Sequence, residues 1–116
     1  MPAPKPPREA AIQAAIREAL GREPDLVLWR NNVGLAQHGE HAVRYGLIEG
    51  SADLVGILGP QGRFMALEVK RPRGKPTEAQ ELFLALVRRR GGFAAVVRSV
   101  EEAVAALARA RAGACE

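Results

Sequence analysis

Two short apolar segments on either side of a turn constrain the fold of this chain most. Asp53–Leu58 and Arg63–Lys70 both have the composition of β-strands, and the glycines and proline of Gly59–Gly62 are typical of a turn. In the simplest register across this turn, Asp53 lies directly opposite Glu68, with about 4.5–5.5 Å between the two Cβ atoms. The two segments therefore predict a β-hairpin that brings two carboxylates together.

Side chains alternate along a strand, so Lys70 lies on the same face as the two acids. Both faces of the hairpin are otherwise apolar, which predicts strands at the centre of a sheet that is covered on both sides. Two buried carboxylates are costly unless they are paired. Two interpretations are open from the residues alone: Lys70 neutralises the acids at the rim of the sheet, or the acids bind a divalent cation.

The spacing of an acid, a turn and Glu-x-Lys on the next strand is the pattern of the PD-(D/E)XK nucleases. The residues around it resemble the VRR-NUC family of that superfamily over Glu9 to Leu107, nearly the whole chain. The matching residues are Tyr45-Gly46, Gly50-Ser51-Ala52-Asp53-Leu54, Glu68-Val69-Lys70, Gly74-Lys75-x-Thr77-x-x-Gln80 and Gly91-Gly92. Ala52 departs from the pattern, because the superfamily's name implies proline there. That position shapes the turn into the strand and leaves the chemistry intact.

The order of predicted elements is helix, strand, strand, strand, helix, strand, helix, which indicates an α/β fold with a mixed central sheet flanked by helices. The resemblance implies the same restriction-endonuclease-like αβββαβ core, with a small insertion around residues 32–43. The first predicted helix is 8–20, with Ile12, Ala15, Ile16, Ala19 and Leu20 on one side. The second is 77–90, with an apolar stripe of Ala79, Leu82, Phe83, Leu86 and Val87, and the third is 99–111, which begins at a second capping box, Ser99-x-x-Glu102. Further strands are predicted at 25–32, 42–47 and 93–98. Residues 34–40 are predicted to form a loop. His38-x-x-His41 in this region is a weak zinc motif, because neither a cysteine nor a third histidine accompanies it.

Metal-assisted phosphodiester hydrolysis is the chemistry that these residues favour. Asp53 and Glu68 would be direct ligands of Mg²⁺ or Mn²⁺, with the backbone carbonyl of Val69 as a third. Lys70 would orient or deprotonate the attacking water, or neutralise the transition state. The sequence does not choose among these roles.

The resemblance adds two residues to this site, and each also has a structural explanation. It implies that Glu9 lies at the metal site, through water or on a second ion, although an acid in a first helical turn is also favoured by the helix dipole. It places Gln80 close to the active site, although Thr77-x-x-Gln80 is also a capping box.

Net charge and arginine content agree with a polyanionic partner. The formal charge is +4 and fourteen of the seventeen basic residues are arginine, the side chain best suited to bidentate phosphate contacts. The basic run after the second strand is placed to contact a phosphate backbone, although an ordinary solvated turn explains it equally well. With the residues that the resemblance places near the substrate, the candidate DNA contacts are Arg30, Asn31, Ser51, Arg71, Arg73 and Lys75.

The chain is expected to form one nuclease domain over residues 8–112, after a proline-rich leader at 1–7 and before a frayed tail at 113–116. Cys115 is the only cysteine and no apolar run could span a bilayer, so we expect a cytoplasmic protein of a bacterium or a phage-infected cell. No nucleotide cofactor or membrane partner is expected. Stand-alone family members resemble Holliday-junction resolvases, which implies a homodimer that cuts four-way or branched DNA. A less selective nuclease or nickase, or a non-catalytic nucleic-acid-binding module, is the alternative.

Overall fold

The computed structural model describes residues 8–116, in which three helices and six strands form. The predicted leader at 1–7 lies outside this range. The elements in chain order are α1 (Glu9–Leu20), β1 (Leu26–Arg30), β2 (Gly34–His38), β3 (His41–Tyr45), β4 (Leu54–Leu58), β5 (Arg63–Val69), α2 (Glu78–Arg89), β6 (Phe93–Val97) and α3 (Val100–Arg111).

The central sheet has four strands in the order β1-β4-β5-β6. β4 pairs antiparallel with both β1 and β5, whereas β5 pairs parallel with β6. The fold is therefore α/β with a mixed sheet flanked by helices, as predicted. The hairpin has the predicted register, with Leu58 opposite Arg63 and Leu54 opposite Leu67. Gly62 in its turn has φ +74°, a conformation that glycine adopts without strain.

One face of this sheet, which we call the closed face, is covered by α1 and α3. Its core contains Leu67, Val69 and Phe93 from the strands, each fully buried, together with apolar side chains of both helices. Ile12, Ile16 and Leu20 of α1 are buried as their helical spacing predicts. Ala15, which the same pattern placed inward, is exposed.

The opposite face, which we call the open face, is covered only in part. Phe83, Leu84 and Val87 of α2 pack against Val55, Ala66 and Ala94 of the strands. Beyond α2, the side chain of Ile57 remains 47% exposed. The prediction that helices cover both faces of the sheet therefore holds fully for the closed face and only in part for the open face.

The stripe predicted for α2 (Ala79, Leu82, Phe83, Leu86 and Val87) is wrong at Leu82, which is 61% exposed while Leu84 is buried. The helix is rotated so that residues 83, 84 and 87 meet the strands, which leaves Leu82 on the flank of the helix.

Residues 34–45 form a separate two-stranded hairpin, and the predicted loop at 34–40 is therefore wrong. The turn at Gly39 and Glu40 connects β2 to β3, and Gly39 has the positive φ (+62°) that such short turns require. Nearly every side chain of the hairpin is exposed, so no buried face imposes the apolar alternation by which a strand is recognised. The strand predicted at 42–47 occupies His41–Tyr45.

The C-terminal residues contact the sheet after α3 ends. The carbonyl oxygen of Cys115 accepts a hydrogen bond from the Ala94 N–H at 2.9 Å, and the Arg63 guanidinium donates to the carbonyl of Ala114. Arg63 also donates to the Ala110 carbonyl, which joins the start of β5 to the end of α3.

Within residues 8–116, no helix has both the length and the apolar character needed to cross a membrane.

Candidate active site

Asp53 stands at the entrance to β4, where hydrogen bonds on both sides fix its position. Its backbone carbonyl accepts from the Asn31 N–H at 2.8 Å, and its Oδ2 accepts from the Val69 N–H at 2.9 Å. Gly50 just before it has φ +85°, and a Cβ there would lie 2.5 Å from the carbonyl oxygen of Ala79. Glycine thus lets the segment that leads to Asp53 pass against the first turn of α2.

Glu68 is the single buried charged side chain among the described residues, with 1% exposure. Its Oε1 accepts a hydrogen bond from Gln80 Nε2 at 3.2 Å, whereas its Oε2 has no hydrogen-bond partner within residues 8–116. The pKa of Glu68 is raised to about 9, mainly because the carboxyl is buried; the adjacent carboxyl of Asp53 and the negative charge of Glu9 add to the rise, and the charge of Lys70 opposes it. The buried carboxyl therefore requires a proton or a cation.

Gln80 has the two partners that its sequence context suggested. Its Oε1 accepts from the Thr77 N–H at 2.8 Å while Thr77 Oγ1 accepts from the Gln80 N–H at 3.2 Å, which completes the capping box at the start of α2. The Nε2 of the same side chain reaches Glu68. The cap thus holds the amide that orients the buried carboxylate.

Glu9 and Lys70 complete the charged group around the two acids. Glu9 is the first residue of α1, and Lys70 follows the last residue of β5. Both charges act on the pKa of Glu68, so the structure brings both residues to the same end of the sheet. Arg8, the N-cap residue of α1, makes no side-chain cap hydrogen bond within residues 8–116, and Glu9 lies in the first turn.

The two carboxylates fit a hard divalent cation. Oxygen ligands are those that Mg²⁺ and Mn²⁺ prefer, and the unpartnered Glu68 Oε2 beside Asp53 is a ready ligand. No three His, Cys, Asp or Glu side chains in the part of the chain that the structure describes lie close enough together to bind one ion. An ion at this site would therefore be completed by backbone oxygen, water or substrate, and Glu9 would act through water.

Asn31 and Ser51, which were predicted to contact DNA, are joined by a hydrogen bond between their side chains. Asn31 Nδ2 donates to Ser51 Oγ at 2.7 Å and to the Ala52 carbonyl at 2.9 Å. These bonds hold the segment immediately before Asp53, so a positioning role explains both residues. Arg30, at the end of β1, is exposed.

The basic loop that follows β5 exposes Arg71, Arg73 and Lys75 near the same end of the sheet. Its shape is fixed by Arg98, a residue not predicted for the site, whose Nη2 donates to the Gly74 carbonyl at 2.9 Å. Parallel strands end at the same edge of a sheet, and Arg98 directly follows β6 as Lys70 follows β5. The position of Arg98 directly after β6, equivalent to that of Lys70 after β5, could therefore have identified it from the sequence.

His38 and His41 face each other across the end of the β2–β3 hairpin. Both are exposed, and within residues 8–116 no third His, Cys, Asp or Glu joins them in a group that could hold a metal ion.

Comparison with known proteins agrees with this geometry. The model of the VRR-NUC domain family matches residues 7–101. The chain belongs to the VRR-NUC family. A solved structure of a VRR_NUC domain superposes with a TM-score of 0.56 at 24% sequence identity, over 86% of this chain and 94% of that one. This likeness shows the shared fold. No curated protein sequence matches the chain significantly.

VRR-NUC is a nuclease family, so membership makes this chain a nuclease domain with DNA as the implied substrate. The matched range contains all five residues predicted to be catalytic: Glu9, Asp53, Glu68, Lys70 and Gln80.

Proposed function

We propose that this VRR-NUC domain is a Mg²⁺- or Mn²⁺-dependent endonuclease that hydrolyses phosphodiester bonds in branched DNA and acts on four-way junctions as a homodimer. The observation that carries the proposal is the buried Glu68, whose Oε2 has no partner in the described structure, beside Asp53 and Lys70. A carboxylate in that position is stabilised by a cation, and this need matches the chemistry of metal-assisted hydrolysis.

Each residue of the site has a separate task in this proposal. Asp53, Glu68 and the Val69 carbonyl would hold the ion, which would polarise the phosphate and lower the pKa of a bound water molecule. Lys70 orients the attacking water or neutralises charge that develops on the phosphate. Gln80 fixes the rotamer of Glu68 through its 3.2 Å hydrogen bond.

Recognition is proposed to act on the shape and backbone of the DNA. Arg71, Arg73 and Lys75 stand exposed on the loop beside the two acids, and Arg30 lies at the end of the neighbouring strand β1. Contacts of this kind position a protein on phosphates without specifying sequence. The elements within residues 8–116 are one four-stranded sheet with its three helices and one hairpin, and none of them forms a separate domain for reading the DNA sequence.

The test compares cleavage of labelled four-way junction, flap, linear duplex and single-stranded DNA in Mg²⁺ or Mn²⁺. Paired symmetric nicks in the junction are expected, together with a loss of at least about 100-fold in Lys70→Ala and complete loss in EDTA. Asp53→Asn should also lose Mg²⁺ binding measured by calorimetry.

Full activity in Lys70→Ala would refute the mechanism. Equal cutting of all four DNAs would retain the nuclease and discard the structure selectivity. Metal-independent binding of DNA without any cutting would favour a nucleic-acid-binding module.

A further inference from the structure

An apolar surface remains uncovered on the open face of the sheet. Val27, Ile57 and Phe64 form a row across three strands, because Ile57 is the direct partner of both other residues. Val27 is 64% exposed and the flanking Leu82 is 61% exposed. We call this the uncovered surface; its members are Val27, Trp29, Ile48, Ile57, Phe64 and Leu82, each at least 36% exposed. Exposed apolar groups that lie together in this way mark an interaction site.

Helix α2 borders this surface with a charge pattern that changes along its length. Exposed Glu78 and Glu81 lie in its first turn, and exposed Arg89 and Arg90 lie at its end, with Leu82 between the two pairs. None of these four charged side chains forms an ion pair within residues 8–116. The helix therefore presents acid, apolar and basic groups in sequence to whatever covers it.

A second copy of the same helix is the partner that this pattern fits. When two α2 helices pack antiparallel about a two-fold axis, the acidic end of each meets the basic end of the other, and the two leucines meet near the axis. Such an isologous contact is the commonest form of homodimer interface. Antiparallel packing also brings opposite ends of the two helix dipoles together.

The surroundings of α2 can accept such a partner. A groove of about 190 Å³ lies between Ile48 and α2, lined also by Leu82 and Leu86. A second groove, of about 420 Å³, lies between α2 and the start of β5 and is lined by Phe64, Leu86 and Arg90. Ridges of side chains on one helix pack into grooves of this kind on another.

We propose that a second copy of this chain docks on the uncovered surface, with the two α2 helices antiparallel across a two-fold axis. The inference deepens the proposed function by naming the surface that joins the two nuclease sites, and only its consequence for paired nicking rests on that function. The interface would bury apolar side chains at its centre and place the Glu78–Glu81 and Arg89–Arg90 pairs at its rim, the usual arrangement of a protein–protein contact.

Analytical ultracentrifugation of wild type, Leu82→Glu and Val104→Glu tests the surface. Leu82 and Val104 are comparably exposed, at 61% and 51%, but Val104 lies on α3. Wild type and Val104→Glu are expected to sediment as dimers, and Leu82→Glu as a monomer with dimerisation weakened at least about 100-fold. Unchanged circular dichroism will show that both variants fold. A monomeric wild type, or a dimeric Leu82→Glu, overturns the proposal.

Charge reversal tests the antiparallel arrangement. One variant combines Glu78→Arg with Glu81→Arg, and the other combines Arg89→Glu with Arg90→Glu. Each alone places like charges together at both rims and is expected to be monomeric, whereas an equimolar mixture restores opposite charges at both rims and forms a heterodimer. Failure of the mixture to associate overturns the antiparallel arrangement.

Cleavage of the junction by the same proteins separates this inference from the proposed function. If wild type is monomeric and still cuts DNA in Mg²⁺, the proposed interface is wrong and the proposed nuclease activity stands. If wild type is a dimer that Leu82→Glu disrupts but it never cuts DNA, the proposed interface stands and the proposed nuclease activity is wrong. If both proposals hold, monomeric Leu82→Glu makes single nicks and loses the paired ones.

Discussion

The closed face of the central sheet is covered by two helices, α1 and α3, whereas the open face is covered by α2 alone and only in part. The side chains of Leu67 and Val69 point to the closed face and are fully buried in apolar surroundings. Glu68 between them points to the open face and is equally buried, but as a carboxylate beside another carboxylate. Strand β5 thus contributes core side chains to the closed face and a site residue to the open face. Substitutions on the two faces should therefore have different effects on stability and activity.

The largest effect on stability is expected on the closed face. Leu67→Ala should lower the free energy of unfolding by about 2–5 kcal/mol, because it removes a fully buried side chain and leaves a cavity. Ile57→Ala, on the neighbouring strand but 47% exposed on the open face, is the matched control and should cost less than about 1 kcal/mol. Urea denaturation of both variants in the Leu82→Glu background, which is expected to be monomeric, measures the difference without a contribution from the proposed interface. Equal losses would mean that the open face is covered in the free protein.

The sequence predicted the closed face and the acid pair well, because local rules determine both. The turn at 59–62 sets the register of β4 on β5, and the register places Asp53 beside Glu68. Likewise Ile12, Ile16 and Leu20 repeat at helical spacing, and nothing competes for their burial.

The open face was predicted less well, because periodicity shows which side chains are apolar and not whether anything covers them. Leu82 and Leu86 belong to the apolar pattern of α2 together with Phe83 and Val87, yet Leu82 remains exposed. The second capping box, predicted at Ser99-x-x-Glu102, forms only in part. Ser99 Oγ accepts from the Glu102 N–H, but Glu102 Oε1 accepts from the Arg98 N–H instead of from Ser99.

The next effect concerns pH, and it arises from the buried acid on the open face. Glu68 has a pKa of about 9 in the folded chain and an ordinary value near 4.5. Between these two pH values Glu68 is protonated in the folded state and ionised in the unfolded state. The free energy of unfolding therefore falls as pH rises, by at most about 1.4 kcal/mol per pH unit, until the pH passes the pKa of the folded state. In EDTA, the melting temperature of wild type should therefore fall more between pH 5 and pH 8 than that of Glu68→Gln.

Leu67→Met is the matched control for this pH dependence, because it changes the closed face without removing the acid. It should retain the slope of wild type. Parallel curves for wild type and Glu68→Gln would show that Glu68 is ionised in the folded protein without a metal.

The smallest effect compares the N-caps of two helices on opposite faces. Thr77 caps α2 on the open face and Ser99 caps α3 on the closed face, each by accepting a backbone N–H. Replacing either by alanine should cost about 1 kcal/mol of stability.

Only the cap of α2 includes Gln80, whose side chain also holds Glu68. Thr77→Ala should therefore reduce kcat for DNA cleavage several-fold with little change in KM, whereas Ser99→Ala should leave kcat unchanged. Because both variants lose the same kind of hydrogen bond, a general loss of stability would affect them equally, and an equal loss of kcat would show that the bond from Gln80 does not position Glu68.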